Sequence, residues 1–230
     1  MAISISETDA ATTIAMNRPR LNLVDPAAVE AITRAFGELD PDKPVILTGV
    51  GETFSAGVDV KAFAALDRGG RTDFARAITA MTARILAMRG PVVAALPGHA
   101  IGGGLVLALC CDYRIAADAP GARFGLTEAR AGVPFPAGPA AIIRHEIPAP
   151  LLRRLTLTSA EASAADLFAA GLFDALCPAA DLQARALAAA EQLASQPGFV
   201  AVKTQVRGAL RDQLAALSAA GSEPAFEAMG

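Results

Sequence analysis

Three consecutive glycines, Gly102, Gly103 and Gly104, form the first stretch of this sequence that could do chemistry. The flanking residues predict an apolar strand before them and an apolar helix after them. The first N–H groups of a helix have no intrahelical partner and lie at the positive end of the helix dipole. A ligand oxygen with negative charge would be stabilised there, and glycine would let it approach the backbone closely. The alternative is that the glycines only allow the helix to pack tightly on the strand.

Glu128 is the second candidate, because it is a lone carboxylate in a loop of Gly, Leu, Thr and Ala that precedes the apolar residues 132–135. Such surroundings should raise its pKa, as general acid–base catalysis near neutral pH requires. The alternative is a glutamate that starts a helix and caps a turn with Thr127. Asp59 and Asp112 lie at the ends of predicted elements, where aspartates commonly form turns, so both are interpreted as structural.

Other catalytic and metal chemistries find little support in the sequence. It contains two histidines, and no GxSxG motif accompanies either of them, which argues against a Ser-His-Asp triad. His99 is predicted to be a hydrogen-bonded structural residue in an apolar turn, and His145 beside Glu146 is predicted to lie on a helix surface. No HExxH, CxxC or clustered acidic spacing predicts a metal site.

The composition predicts one well-buried domain. The chain has 230 residues, of which 53% are hydrophobic and 19% charged, and its formal net charge is −3. This charge gives no basic surface for nucleic acid or for an anionic membrane. We expect buried thiols in a reducing compartment at Cys110, Cys111 and Cys177. With no targeting segment or transmembrane span in the pattern, we expect a cytoplasmic protein.

Strands and helices alternate along the first two thirds of the chain, which predicts an α/β fold. A hairpin is expected at residues 3–16, and a helix from an Asp25 N-cap to about Leu39. Residues 44–48 and 91–96 are predicted buried strands, and residues 49–59 a loop of small residues. The apolar stripe from Phe74 to Met88 predicts a long helix whose apolar face is core. Further predictions are a strand at 113–116 and helices at 140–144, 151–155, 163–170, 180–194 and 200–217.

Three separated blocks together resemble the enoyl-CoA hydratase/isomerase (crotonase) superfamily: LTGVGETFSAGVDVKAF, PGHAIGGGLVLALCCDYRIAADAPGARFGLTEARAGV and SAEASAADLFAAGLFDALCP. Asn17-Arg18-Pro19 and Asn22 resemble the opening motif of that family. The resemblance implies a spiral of repeated ββα units in residues 1–178. It also implies a C-terminal helical region in residues 179–230 that builds a homotrimer or a dimer of trimers.

The resemblance further implies an acyl-CoA substrate whose thioester oxygen is held by the backbone N–H groups of Val58 and Gly103. Coenzyme A would be part of the substrate, so no separate cofactor is expected. Glu128 matches the catalytic glutamate of the family. The remaining substrate-binding positions carried over are Ala56, Gly57, Asp59, Val60, Lys61, Gly102 and Val106, with Lys61 near the CoA phosphates.

The family's hydratases hold a water molecule between two glutamates, and Val106 stands at the position of the first one. Valine can neither orient water nor exchange a proton. The resemblance is therefore closest to the Δ3,Δ2-enoyl-CoA isomerases, in which one glutamate works alone. Hydration or another enolate reaction such as decarboxylation on the same fold is the first alternative, and a noncatalytic binding or assembly subunit is the second.

Overall fold

A computed structural model describes residues 2–18 and 20–229 of the chain. The predicted N-terminal hairpin is confirmed, since β1 (Ile3–Glu7) pairs antiparallel with β2 (Thr12–Met16). Pro19 of the opening motif lies outside the described residues. The helix α1 (Pro26–Glu38) begins as predicted, because the Asp25 carboxylate accepts a hydrogen bond of 2.8 Å from the N–H of Ala28.

Three successive units then send their first strand to a larger sheet and their second strand to a smaller one. The strands of these units are β3 (Val45–Gly49) with β4 (Thr53–Ser55), β5 (Val92–Leu96) with β6 (His99–Ile101), and β7 (Tyr113–Ala117) with β8 (Phe124–Gly125). Within the described residues, the larger sheet has the order β1-β2-β3-β5-β7-β10, with β10 at Ala175–Cys177. The smaller sheet has the order β4-β6-β8-β9, with β9 at Glu161–Ala162. This ββα arrangement confirms the predicted crotonase-like spiral.

Helices follow each unit and cover the sheets. In chain order they are α2 (Val60–Ala64), α3 (Arg68–Leu86), α4 (Gly103–Leu109), α5 (Glu128–Ala131), α6 (Ala137–Glu146), α7 (Ala149–Leu157), α8 (Ala164–Ala169), a 3-10 turn (Ala179–Asp181), α9 (Leu182–Ala194), α10 (Phe199–Ala220) and α11 (Pro224–Glu227). None of the described helices is long and apolar enough to cross a membrane.

The last helices share the apolar core of the preceding residues. Leu210, Leu214 and Phe226 belong to the main buried cluster with the sheets and α3, while Leu182 and Ala186 of α9 pack on the other face of the larger sheet. The division of the chain at residue 178 stays a prediction.

Two local predictions were wrong, both because the strands concerned are very short. Residues 49–59 were predicted to be a loop, yet they contain β4. His99 was placed in a turn, yet it begins β6, where its Nδ1 accepts a hydrogen bond of 3.1 Å from the N–H of Arg123. Its predicted structural role is thus consistent with this contact. A strand of three residues gives too little alternation for a pattern to reveal it.

Candidate active site

The candidate site lies where three neighbouring strands of the smaller sheet end. Strands β4, β6 and β8 are parallel to one another, so their carboxyl ends meet at one edge of the sheet. Val58 follows the end of β4 by three residues, Gly103 follows β6 by two, and Glu128 follows β8 by three. Residues separated by up to 70 positions in the chain are thus brought to one place, where α/β folds commonly bind ligands.

Glycine allows the first two turns to approach each other closely. Gly57 has a φ of +84°, and a Cβ at this position would lie 2.5 Å from the carbonyl oxygen of Ile101. A Cβ on Gly104 would lie 2.2 Å from the carbonyl oxygen of Ser55. Gly102 has a φ of +55°, a backbone conformation that residues with a side chain rarely adopt. Close packing therefore explains the glycines at 57 and 104, and backbone conformation explains the glycine at 102.

Gly103 differs from its neighbours, because neither packing nor conformation requires a glycine there. It lies in helical conformation at the first position of α4, and a Cβ would meet its nearest neighbour, Cγ2 of Val58, at an ordinary 3.6 Å. With no side chain, Gly103 also has nothing of its own to cover its backbone N–H. This is the glycine for which access to the backbone is the better explanation.

The backbone N–H groups of Val58 and Gly103, the predicted donor pair, lie close together at this edge. Val24 and Val58 form a parallel β-bridge. In this bridge the carbonyl oxygen of Val24 accepts from the N–H of Asp59, and the N–H of Val24 donates to the carbonyl oxygen of Gly57. The bridge therefore uses the backbone groups on either side of Val58. The N–H of Val58 therefore points away from Val24. A Cβ on Gly103 would lie only 3.8 Å from the Val58 nitrogen. Within residues 2–18 and 20–229, neither N–H has a protein acceptor.

The Glu128 carboxylate lies beside this donor pair. A Cβ on Gly102 would lie 3.0 Å from Oε1 of Glu128. The other carboxylate oxygen, Oε2, is buried and has no hydrogen-bond partner among the described residues. Burial raises the pKa of Glu128 to about 7, against a smaller lowering by its own backbone N–H. Glu128 is also the first residue of the short helix α5, so it starts a helix and faces the cleft at once.

A cleft of about 920 Å³, part of it open to solvent, surrounds these groups. Val106, one turn into α4, is 2% exposed and lines the cleft together with Leu107. Among the described lining residues, Glu128 is the one with a titratable side chain. The other polar side chains are those of Thr82 and Thr127, and the Thr82 hydroxyl donates to the carbonyl oxygen of Thr79.

Seven of the ten predicted site residues line this cleft: Ala56, Val58, Val60, Gly102, Gly103, Val106 and Glu128. Three do not. Gly57 is buried behind the donor pair, and the Asp59 carboxylate caps α2 by accepting from the N–H groups of Lys61 and Ala62 at 3.0 Å. Lys61 is exposed in the first turn of α2.

Several residues that line the cleft were not predicted as such from the sequence. Phe74, Ile78 and Met81 were interpreted only as core, yet they also form a wall of the cleft. Phe63 and Phe226 join them, and Phe226 comes from α11, which was not predicted. A helical stripe has the same spacing whether it faces a core or an apolar cleft, so no signal in the sequence separates the two.

Buried charges surround the opposite end of α4. Arg207 donates to the carbonyl oxygens of Leu109 and Cys110 at 3.1 and 3.2 Å, and Arg114 donates to that of Cys111 at 3.1 Å. Arg207 also pairs with Asp112 at 2.7 Å. Within the described residues, no group of three or more His, Cys, Asp or Glu side chains could hold a metal ion.

The cleft thus brings together two backbone N–H groups, those of Val58 and Gly103, and one half-buried carboxylate, that of Glu128. A family model described as Enoyl-CoA hydratase/isomerase matches residues 6–226, and the chain belongs to this family, the crotonase superfamily. The chain is 35% identical over 196 residues to "Probable enoyl-CoA hydratase echA8" of Mycobacterium bovis, covering 82% of this chain and 73% of that one. It is 33% identical over 184 residues to the carnitinyl-CoA dehydratase of Salmonella typhi, covering 78% and 69%. The enoyl-CoA hydratase structure from Bacillus anthracis superposes with a TM-score of 0.82 at 29% identity, covering 96% and 90%.

Proposed function

We propose that this acyl-CoA enzyme is a 3,2-enoyl-CoA isomerase. The Glu128 carboxylate removes a proton from C2 of a 3-enoyl-CoA, the double bond moves to C2–C3, and the same group returns the proton to C4. The negative charge that develops on the thioester oxygen is stabilised by the N–H groups of Val58 and Gly103. A donor aligned with such an oxyanion typically contributes about 3 kcal/mol to the barrier reduction.

The proposal rests on the composition of the cleft lining. Val106 is apolar and 2% exposed, and among the described lining residues Glu128 is the one with a titratable side chain. Moving a double bond needs one base that shuttles a proton over a short distance. Adding water needs one group to position and deprotonate the water while a second delivers a proton to C2. A carboxyl group with a pKa of about 7 can both accept and return a proton near neutral pH.

Hydration is the second candidate, and the names of the relatives at 33–35% identity favour it. In this chemistry Glu128 would share the water with a second polar group. The Thr127 hydroxyl is the candidate for that role, because the Thr82 hydroxyl is already bonded to Thr79. Decarboxylation and a noncatalytic binding subunit are weaker alternatives, and no particular contact in the cleft favours either.

The CoA moiety is proposed to lie over α2, where Val60 is exposed and Lys61 offers a cation for the phosphates. Assembly into trimers or dimers of trimers, implied by the family, stays a prediction. No separate cofactor enters the proposed reaction.

The test supplies the wild-type enzyme with a 3-enoyl-CoA and, separately, with a 2-enoyl-CoA. We expect the first to become the conjugated 2-enoyl-CoA without a change in mass, seen as new thioester-conjugated absorbance. We expect little 3-hydroxyacyl-CoA from the second, and a faster hydration after Val106→Glu, with Val106→Leu as the control. Rapid hydration by the wild type without migration of the double bond would overturn the isomerase proposal and leave the family assignment untouched.

A further inference from the structure

The residues that line the cleft differ in exposure, and we call its exposed part the rim and its buried aromatic part the closed end. At the rim, Val60 is 62% exposed and residues 133–136 are half-buried. At the closed end, Phe63, Phe74 and Phe226 are 8%, 5% and 3% exposed. The Phe226 ring packs edge-on against Phe63, with centroids 6.2 Å apart, and Phe63 packs against Phe74 at 6.4 Å. The end formed by these rings is therefore apolar and shielded from solvent.

The two ends select different parts of an acyl-CoA. The CoA moiety is large and carries several phosphate charges, so its burial among phenylalanine rings would be costly. An alkyl tail gains about 0.8 kcal/mol for each methylene that leaves water. The next step rests on the proposed function. A thioester held at Val58 and Gly103 would keep CoA at the rim and direct the acyl tail to the closed end.

A buried carboxylate fixes the position of Phe226. We name residues 223–229 the clasp. Glu223, which is 1% exposed, accepts a hydrogen bond from the Thr79 hydroxyl of α3 and one of 2.7 Å from the N–H of Ala137. Ala137 is the first residue of α6, whose own N-cap, Pro136, offers no side-chain acceptor. Glu223 therefore caps α6 from a distance and ties α3, α6 and the clasp together.

Two arginines of α3 hold the flanks of the clasp. Arg76 donates to the carbonyl oxygen of Gly221 and pairs with the Glu227 carboxylate, while Arg68 donates to the carbonyl oxygen of Glu227. Together with the buried Glu223, these contacts favour the observed position of Phe226 in the wall of the cleft.

We propose that Phe226, positioned by Glu223, ends the acyl tunnel and limits the length of the acyl chain that the enzyme accepts. In the wild type, each added methylene should raise affinity by about fourfold until the tail reaches this ring. Longer tails should then gain nothing or bind more weakly, because a fixed ring leaves them no apolar space.

The test is a binding series with saturated acyl-CoAs of increasing length, measured by calorimetric titration. Phe226→Ala should move the length of tightest binding to chains several methylenes longer. Phe226→Leu should produce a smaller shift and guards against a folding defect in the alanine variant. Phe168→Ala is the matched control, because Phe168 is 47% exposed on α8 and does not line the cleft. An unchanged length optimum in both Phe226 variants would overturn the proposal.

The role of Glu223 as a positioning residue is tested with the same binding series. The quantity compared is the sharpness of the cut-off, which is the drop in affinity beyond the acyl-chain length of tightest binding. Glu223→Ala should let chains of neighbouring lengths bind almost equally, whereas Glu223→Gln keeps an acceptor for Ala137 and should restore most of the cut-off. A purely structural role would lower thermal stability in both variants and leave the length profile unchanged. Failure of the wild type to bind any acyl-CoA would instead count against the proposed function, so the two failures are distinguishable.

Discussion

The two ends of helix α4 are built in opposite ways. At its C-terminal end, the carbonyl oxygens of Leu109, Cys110 and Cys111 all accept hydrogen bonds from guanidinium groups. At its N-terminal end, the N-cap Gly102 supplies no side-chain acceptor, and Gly103 lines the cleft. Both ends of a helix leave backbone groups without intrahelical partners, so the difference between them needs a reason.

The C-terminal end is satisfied by charges that complement the helix dipole. Arg207 bridges Asp112 and Glu146 at 2.7 and 3.0 Å, and Lys203 adds a second cation on Asp112 at 2.6 Å. All four side chains are at most 14% exposed. Cations at a helix C-terminus are favourable, and here each has a carboxylate partner. This end fixes the helix, whereas the bare N-terminal end leaves donors for the substrate oxygen in our proposal.

Glu128→Gln should have the largest effect, since it removes the proposed base and preserves the shape of the side chain. Loss of a general acid–base group typically costs about a hundredfold to ten-thousandfold in rate. Turnover of a 3-enoyl-CoA should fall by this factor, while the affinity for a saturated acyl-CoA should change little. Wild-type turnover on every enoyl-CoA tested would show that Glu128 only starts helix α5.

The raised pKa of Glu128 gives the same variant a signature in pH. As a base Glu128 must be deprotonated, so wild-type kcat/KM should fall as pH drops through about 7. Because burial raises this pKa above its unfolded value, the wild type should lose stability relative to Glu128→Gln as pH rises from about 4.5 to about 7. The difference above pH 7 should approach about 3 kcal/mol by chemical denaturation.

Arg207→Met should act on the opposite end of α4, and mainly on stability. Breaking a buried ion pair from one side typically costs about 3–5 kcal/mol, and the lower figure is expected because Lys203 and Arg114 still pair with the two carboxylates. Arg211→Met, one turn further along α10, removes an exposed pair with Asp212 and should cost less than about 1 kcal/mol. Equal denaturation midpoints for the two variants would contradict this division of roles.

The asymmetry of α4 was only half visible in the sequence. The glycine run and the helix after it predicted exposed N–H groups, and the apolar loop around Glu128 predicted an acid–base carboxylate. The resemblance to the family then gave Val58 and Gly103 as the two donors. Nothing near Asp112 indicated its cations, because Lys203 and Arg207 lie more than 90 positions away. Such long-range pairs are set by how α10 packs on the core, which local patterns do not encode.

The same limit applies to the wall of the cleft. Phe74 was correctly placed on an apolar helix face, yet the pattern could not tell a core from a cleft. Strands β4, β6 and β8 hold the three candidate groups, and each has three residues or fewer. The glycine run and Glu128 were therefore found from their local sequence and Val58 from the resemblance, whereas the short strands that position all three were not predicted.

Gly103→Ala should have the smallest effect on the fold and is the sharpest test of the comparison. The added methyl meets Val58 at an ordinary 3.6 Å, and alanine favours a helix over glycine by about 1 kcal/mol at most, so stability should hold or rise slightly. The methyl would nevertheless crowd the oxygen between the two donors, and turnover should fall by about tenfold to a hundredfold. Gly104→Ala is the control, since its Cβ would lie 2.2 Å from the Ser55 carbonyl oxygen and should lower the denaturation midpoint clearly. Parallel losses of stability and turnover in both variants would mean that Gly103, like its neighbours, only serves packing.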